Sequence, residues 1–469
     1  MTETLLRLKP FFEPNGIAVI GARSSPGFGF GIPVRLIEKG WGDRTYLVNP
    51  RGGEMHGLPV YKSALDLPDP LDLAVVIVPG PAVLETMDHI AKRGIKHVII
   101  ESAGFAETGS EGKAVQDKIL ALARSHGIRI IGPNCVGVLN TANGFSTVEI
   151  MPESYTPGNL AVIAQSGVFG QSLMDRLYKE NLFFSKVVTL GNRMDVNESE
   201  ILEYLHQDHD TKMIIMYMEG AAKGRLLKQT LNQVTRDKPV LILKSGRTSV
   251  GRAATASHTG SLSGEDALYE SMFLQSGAIR VETLNEFMEF SRVFSTQPLP
   301  KGNRLGIVTG SGSMGALAAD AALVSGLTVP PLPDRVRDRV LEGAPGWMNA
   351  KNPLDVGPSN QFPKAFNALM SDPDIDMVLA IIGAPYAVFQ YMAGDETMVK
   401  RFLGDTSIFQ RANRKKPCLI CVFSHDELVN AVKSDVEPDI PVFTNPEMPV
   451  KAMAALWHLA KWRKQYGTQ

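Results

Sequence analysis

The chain has 469 residues, of which 44% are hydrophobic and 21% charged, with a net charge of -1 at neutral pH. That is the composition of a globular protein long enough for about three domains. The near-zero charge excludes a basic field for nucleic acid or an anionic membrane surface, and no apolar run approaches the ~20 residues that span a bilayer.

The N-terminus, M-T-E-T-L-L-R-L-K-P, carries no signal-peptide apolar core, and three cysteines make no disulfide framework, so a reducing cytoplasm is the expected location. Residues 1–150 read as a first α/β domain. An apolar strand at 17–20 runs into G-A-R-S-S-P-G-F-G-F-G and then a helix from about Ile32. Free N–H groups at such a helix start favour an anion. Further strands are predicted at 45–48, 73–78, 97–100 and 129–131, with helices between several of them, which means a parallel sheet. Ligands of such sheets bind at the carboxyl ends of the strands. The turns there carry Gly21, Arg23, Ser24, Pro26 and Gly27, then Asn49, Pro50 and Arg51, then Pro79, Ser102 with Ala103, and Asn134. Pro26 spoils a G-x-G-x-x-G reading. Asn49 stands where a dinucleotide ribose wants a carboxylate. NAD is therefore disfavoured, and another nucleotide-bearing ligand is preferred, with Arg23 and Arg51 available to its phosphates.

Residues 151–298 read as a second α/β domain, with strands at 160–164, 186–190, 213–218, 240–243 and 278–281. Gln165-Ser166-Gly167 follows its first strand and opens a helix. Gly191-Asn192-Arg193-Met194-Asp195 follows the second, and Glu219-Gly220 the third. After the fourth comes a stretch of Gly, Ser, Thr and Ala, 244–264, containing Arg247, Arg252 and His258. It holds nothing that anchors a core, and is expected to be a long mobile loop.

Residues 299–469 read as a third α/β domain. I-A-Q-S-G-V-F-G-Q-S-L-M-D in the second domain and V-T-G-S-G-S-M-G-A-L-A-A-D in the third repeat the order strand, x-S-G-x-x-G, helix. Two domains of similar fold are expected. Cys418 and Cys421 make a C-x-x-C inside the strand-like run P-C-L-I-C-V-F. Residues three apart on a strand face opposite sides, so both read as packing residues rather than metal ligands.

A neutral imidazole is a nucleophile, and an unperturbed pKa of about 6.5 leaves His258 mostly neutral in a cytoplasm. To attack a phosphoryl group through one nitrogen, it needs an acceptor for the proton on the other, and Glu219 is the candidate. Helix starts at Ser166-Gly167 and Ser311-Gly312 offer N–H groups to the resulting phosphate. No G-x-x-x-x-G-K-[ST] occurs, so a nucleotide is expected on a partner chain.

The ordered set V-I-G-A-R-S-S-P-G, L-V-N-P-R, S-A-G-F-A-E, G-P-N-C-V-G, Q-S-G, G-N-R-M-D-V, Y-M-E-G, K-S-G-R…A-S-H-T-G-S-L-S-G and N-P-L-D covers nearly the whole chain. It resembles the α subunit of ADP-forming acetyl-CoA synthetase (acetate–CoA ligase, ADP-forming), in the superfamily that includes succinyl-CoA synthetase. The resemblance implies an α/β fold of three domains: a Rossmann-like domain that binds coenzyme A, then two flavodoxin-like domains. It implies that His258 is phosphorylated, that Glu219 supports it, and that Gln165-Ser166-Gly167 and Ser311-Gly312 face the phosphate. It implies acyl-CoA, phosphate and a carboxylic acid as small-molecule partners. ADP or ATP and Mg2+ would sit mainly on an ATP-grasp β subunit, in an α2β2 assembly; no metal site is expected on this chain. Two other readings stay open: a non-catalytic coenzyme A- or acyl-CoA-binding regulator, and an NAD(P)-dependent oxidoreductase. The acyl group, ADP against GDP, and the direction of reaction are not legible.

Overall fold

The computed structural model describes residues 3–148, 156–259, 264–357, 359–383, 385 and 416–467, and only the backbone of 256–259. The chain divides into two compact units, Met1–Glu282 and Thr283–Gln469.

Unit 1 holds two sheets. The first is built from β1 (Ile17–Ile20), β2 (Thr45–Val48), β3 (Gly53–Met55), β4 (Leu58–Tyr61), β5 (Leu73–Val76), β6 (His97–Ile100) and β7 (Arg129–Ile131), in spatial order β3-β4-β2-β1-β5-β6-β7. Every pair but β3–β4 is parallel. β1 and β5, Ile-Ala-Val-Ile and Leu-Ala-Val-Val, are buried throughout, as strands covered by helices on both faces must be. From β1 the chain adds β2 on one side and later β5 on the other. That reversal opens a crevice at their carboxyl ends.

The second sheet contains β8 (Val138–Asn140), β9 (Phe145–Ser146), β10 (Leu160–Ala164), β11 (Phe184–Thr189), β12 (Met213–Met218), β13 (Val240–Lys244) and β14 (Ile279–Val281), in order β14-β13-β12-β10-β11-β8-β9. Its five parallel strands have the flavodoxin-like order, reversing between β10 and β12. β8 and β9 pair antiparallel on the edge of β11. The stretch expected to finish the first domain thus completes the second sheet.

Residues 191–196 follow β7 as a backbone seam. Asn192 N–H donates to Pro133 O (2.8 Å), Met194 N–H to Gly132 O (3.1 Å) and Val196 N–H to Ile130 O (3.0 Å). Arg129 locks it, with Nε on Asp195 Oδ2 at 2.8 Å and Nη2 on Glu200 Oε1 at 2.7 Å. One apolar core runs through both layers, from Leu8, Phe11 and Phe12 through Val19 and Ile163 to Phe273.

The segment 244–264 departs from expectation. Residues Ser249–Thr259 are helical, so His258 stands on a helix, while 260–263 lie outside the described residues. The physical reason is visible in the composition. Alanine is the best helix former, and Ala253, Ala254 and Ala256 fall in the middle of the span. Thr248 supplies the cap, its Oγ1 accepting from Gly251 N–H at 3.1 Å.

Unit 2 contains β15 (Leu305–Thr309), β16 (Leu354–Asp355), β17 (Met377–Gly383), β18 (Cys418–Phe423) and β19 (Val442–Phe443), all parallel, in order β16-β15-β17-β18-β19. This is the same flavodoxin-like order as β11-β10-β12-β13-β14. The shared x-S-G-x-x-G has a packing cause. A Cβ on Gly170 would come within 3.0 Å of Ala164 Cβ, and one on Gly315 within 3.0 Å of Thr309 Cγ2, so each helix lies close on its strand only because glycine is there. Cys418 and Cys421 are fully buried, and burial pushes both thiols up, that of Cys421 to about 12.

Arg129→Met is expected to destabilise unit 1 by about 3 kcal/mol, because it leaves two half-buried carboxylates without their cation. Hydrogen exchange of the β7 and β11 amides along a urea series checks this.

Candidate functional site

A cleft of about 1160 Å³ runs along the carboxyl ends of both sheets of unit 1. Its first wall comes from the β1/β5 reversal: Gly21, Arg23, Ser24 and Phe28 after β1, Asn49, Pro50 and Arg51 after β2, and Val78, Pro79 and Gly80 after β5. Glu101, Ser102 and Ala103 after β6 and Asn134, Cys135 and Val136 after β7 continue it. Gln165, Ser166, Gly167, Val168, Gly191 and Asn192 form the opposite wall from the second sheet.

The turns take this shape for local reasons. Gly21 has φ +98°, and a Cβ there would meet the Ile77 carbonyl at 3.0 Å. Asn49 staples the ends of β1 and β2: its Nδ2 donates to Ala22 O at 2.9 Å, and its Oδ1 accepts from Arg51 N–H at 3.0 Å. An amide can do both, which a carboxylate cannot, so Asn49 is the residue this turn requires. Arg23 folds its guanidinium over Gly27, where a Cβ would come within 2.4 Å of Nη1. Both Arg23 and Arg51 are exposed at the mouth, placed for an anionic ligand. Ser102 Oγ donates to Val78 O and holds two strand ends together.

Of the residues expected to contact a nucleotide-bearing ligand, Gly21, Arg23, Ser24, Asn49, Pro50, Arg51, Pro79, Ser102, Ala103 and Asn134 line the cleft. Pro26 and Gly27 do not, and Gly27 acts instead as the seat of Arg23. Sequence reasoning places Glu101, Gly191 and Asn192 in turns after strands without assigning them to a site, and does not assign Phe28 or Val136 either. The strand-end position of Glu101, Val136, Gly191 and Asn192 was the available signal. Glu101 is 4% exposed and lies beside Cys135, whose thiol is pushed up by burial first and by the Glu101 carboxylate second.

The phosphate-binding expectation divides. The helix Gly167–Lys179 starts in the cleft with Ser166 as N-cap, whose side chain makes no capping bond, and Ser166, Gly167 and Val168 all line the cleft. Gln165 is engaged elsewhere. Its Oε1 accepts from Glu219 N–H (2.7 Å) and Gly220 N–H (3.1 Å), and its Nε2 donates to Gly220 O (2.9 Å). It therefore ties the end of β10 to the end of β12 across the reversal. Glu219 is 3% exposed, and Tyr217 Oη donates to its Oε1 at 3.3 Å. Lys244, buried at the end of the neighbouring strand, stands 4.6 Å over the Tyr269 ring. Burial lowers its pKa, opposed by the carboxylates of Asp266 and Glu219. The His258 side chain lies outside the described residues.

In unit 2, Ser311 is the N-cap of the helix Gly312–Val324, and its Oγ pairs with Ser313 Oγ at 3.1 Å and caps no backbone N–H. A carboxylate already stands there: a Cβ on Gly312 would come within 2.8 Å of Asp355 Oδ2. This helix start thus differs from its counterpart at Gly167.

A further contact ties Asn192 of the cleft to the first domain's residues behind it. Asn192 Nδ2 donates to Glu107 Oε2 (2.6 Å) and Gln116 Oε1 (3.0 Å), while Glu107 Oε1 accepts from Gly104 N–H (2.6 Å) and Phe105 N–H (3.1 Å). Burial alone would raise the Glu107 pKa. The bonds from Asn192, Gly104 and Phe105 outweigh it and hold the carboxyl below its ordinary value.

Comparison with known proteins agrees with this architecture. Residues 15–141 match a CoA binding domain, and residues 157–294 match a succinyl-CoA ligase like flavodoxin domain. The chain is 34% identical to the acetate–CoA ligase [ADP-forming] I subunit alpha of Pyrococcus furiosus, over 98% of this chain and 99% of that protein. It is 35% identical to acetate–CoA ligase [ADP-forming] II of Archaeoglobus fulgidus, over 98% of this chain but 68% of that protein. Among solved structures, the dinucleotide forming acetyl-coenzyme A synthetase 1 of Ca. Korarchaeum cryptofilum, in complex with phosphate and ADP, superposes with a TM-score of 0.87 at 29% identity, covering 97% of each chain. No helix among the described residues is long and apolar enough to cross a membrane.

Because the folded pKa of Glu107 is depressed, its stabilisation is complete above the ordinary value of 4.5 and is lost as pH falls through the lowered folded value. Thermal melts over that acid range should show a smaller loss for Glu107→Gln than for the wild type, from a lower starting melting temperature at neutral pH.

Proposed function

Since the chain belongs to the family of ADP-forming acetate–CoA ligase α subunits, we propose that it interconverts acyl-CoA, phosphate and ADP with a carboxylic acid, ATP and coenzyme A through a phosphohistidine on His258. The observation that carries this reading is one cleft of unit 1. It joins the glycine turns of a CoA binding domain to the uncapped helix start at Gly167, with Glu219 fixed one strand away.

Coenzyme A fits the first wall. Arg23 and Arg51 meet its phosphates at the mouth, and Asn49, Pro79 and Ser102 line the way inward. The thioester end then points toward Ser166-Gly167. There a phosphate oxygen attacks the thioester carbonyl, the C–S bond breaks, and the thiolate takes a proton to leave as coenzyme A. The N–H groups at Gly167 stabilise the phosphate of the resulting acyl phosphate. A neutral His258 nitrogen next attacks phosphorus, the bond between phosphorus and the acyl oxygen breaks, and the carboxylate departs. Glu219 accepts a hydrogen bond from the N–H of the other ring nitrogen, which keeps its proton, and the carboxylate balances the cation that forms. Transfer to ADP breaks the P–N bond and forms ATP.

The nucleotide and Mg2+ belong to a partner of ATP-grasp type, most simply as an α2β2 assembly. The Pyrococcus furiosus relative, matched over 99% of its length, is named a subunit alpha, which supports a partner subunit. The helix Ser249–Thr259, bounded by Gly246 and Gly264, is the element that carries His258 between the two sites. The location is cytoplasmic.

His258→Ala is expected to fold and to bind coenzyme A as the wild type does, and to take no acid-labile, base-stable label from radioactive phosphate and acetyl-CoA. Glu219→Gln should fold equally well and accumulate less phosphoenzyme. Synthetase activity retained by His258→Ala with the partner present would end the phosphohistidine reading.

A further inference from the structure

The short loop after β12 is held by side chains from three other parts of the second sheet. Beyond the Gln165 bonds, Arg193 Nη1 donates to Gly220 O at 2.6 Å and pairs with Glu198 Oε2 at 3.3 Å. Glu198 Oε1 in turn accepts from Ala222 N–H at 2.8 Å. Tyr269 Oη accepts from Ala221 N–H at 2.9 Å. The backbone N–H groups of all four residues from Glu219 to Ala222 are thereby assigned to side chains.

We propose that Arg193, seated on the buried carboxylate of Glu198, is a positioning residue that fixes the backbone from which Glu219 acts. The inference rests on the reading of Glu219 given above. Three observations carry it. The ion pair is deeply buried, with side-chain exposures of 6% and 0%. Such a pair pays heavily in desolvation and is a poor route to stability, since apolar groups of similar volume often do as well. Arg193 also adopts φ +54°, a left-handed conformation that strains a long side chain, and its buried Nε has no hydrogen-bond partner among the described residues. A turn needing only to fold would use glycine or asparagine there. Finally, the neighbouring Asn192 and Gly191 line the cleft, so one three-residue turn touches the acyl-CoA cleft on one side and the Glu219 loop on the other.

The test uses the full chain with its partner subunit and reads thermal stability, the coenzyme A KM, kcat, and labelling by radioactive phosphate with acetyl-CoA. The double variant R193M/E198Q removes both buried charges and keeps an acceptor for Ala222 N–H. It should melt close to the wild type and leave KM for coenzyme A within about twofold, while kcat and the rate of phosphoenzyme formation fall by on the order of 10²-fold. R193K, which keeps the charge opposite Glu198 but loses the planar fork, is expected to fall between the two. Should the double variant fold poorly, R193K alone decides, by the same split between kcat and KM. Wild-type labelling rates in these variants would overturn the inference and leave the phosphohistidine reading standing. So would a loss of coenzyme A affinity in proportion to the loss of rate. A wild-type complex that takes no label would overturn both.

Discussion

The backbone seam between residues 130–133 and 192–196 is short, yet the site depends on it. Three hydrogen bonds and the Arg129 carboxylate pairs run the turn after β11 along the end of β7. Two sheets, each with its own reversal of strand order, are thereby brought to one cleft at their carboxyl ends. Without the seam, the turns of the CoA binding domain and the helix start at Gly167 would be separate surfaces.

The charges of the site are arranged by the same economy. Arg23 and Arg51 stay exposed at the mouth, where desolvation costs little and an anion can find them. Deeper in, the carboxylates and cations are buried and tied: Glu107 to Asn192, Glu198 to Arg193, and Lys244 beside Tyr269. An unpaired charge at that depth would cost several kcal/mol, which explains why the inner residues bond to each other and to backbone groups. Gln165 is the plain example. Read along the chain it belongs to a phosphate-binding turn; in space its amide is consumed by Glu219 and Gly220.

The repeat of strand, x-S-G-x-x-G and helix was legible because it has a steric cause that sequence carries directly: glycine where helix meets strand. What each copy does was not legible. At Gly167 the helix start opens on the cleft, while at Gly312 it stands beside Asp355, a residue 43 positions away in sequence. The segment around His258 taught the converse. Its small residues suggested a loop because they bury nothing, but alanine needs no burial to be helical.

The sequence by itself determined the longer parallel strands, their alternation with helices, most of the turns that line the cleft, and the histidine and glutamate on which the proposed chemistry rests. These are properties of short stretches: apolar runs, glycine turns, and residue types at strand ends. The short edge strands such as 53–55, 58–61, 138–140 and 145–146 escaped sequence reasoning. Only the tertiary structure decided that β8 and β9 complete the second sheet rather than the first, that Asn192 and Glu101 line the cleft, and that Arg193, Glu198 and Tyr269 hold the Glu219 loop. Those facts depend on which strand edges pair and which side chains meet across a reversal of strand order. Such contacts join residues tens of positions apart, and no local pattern records them.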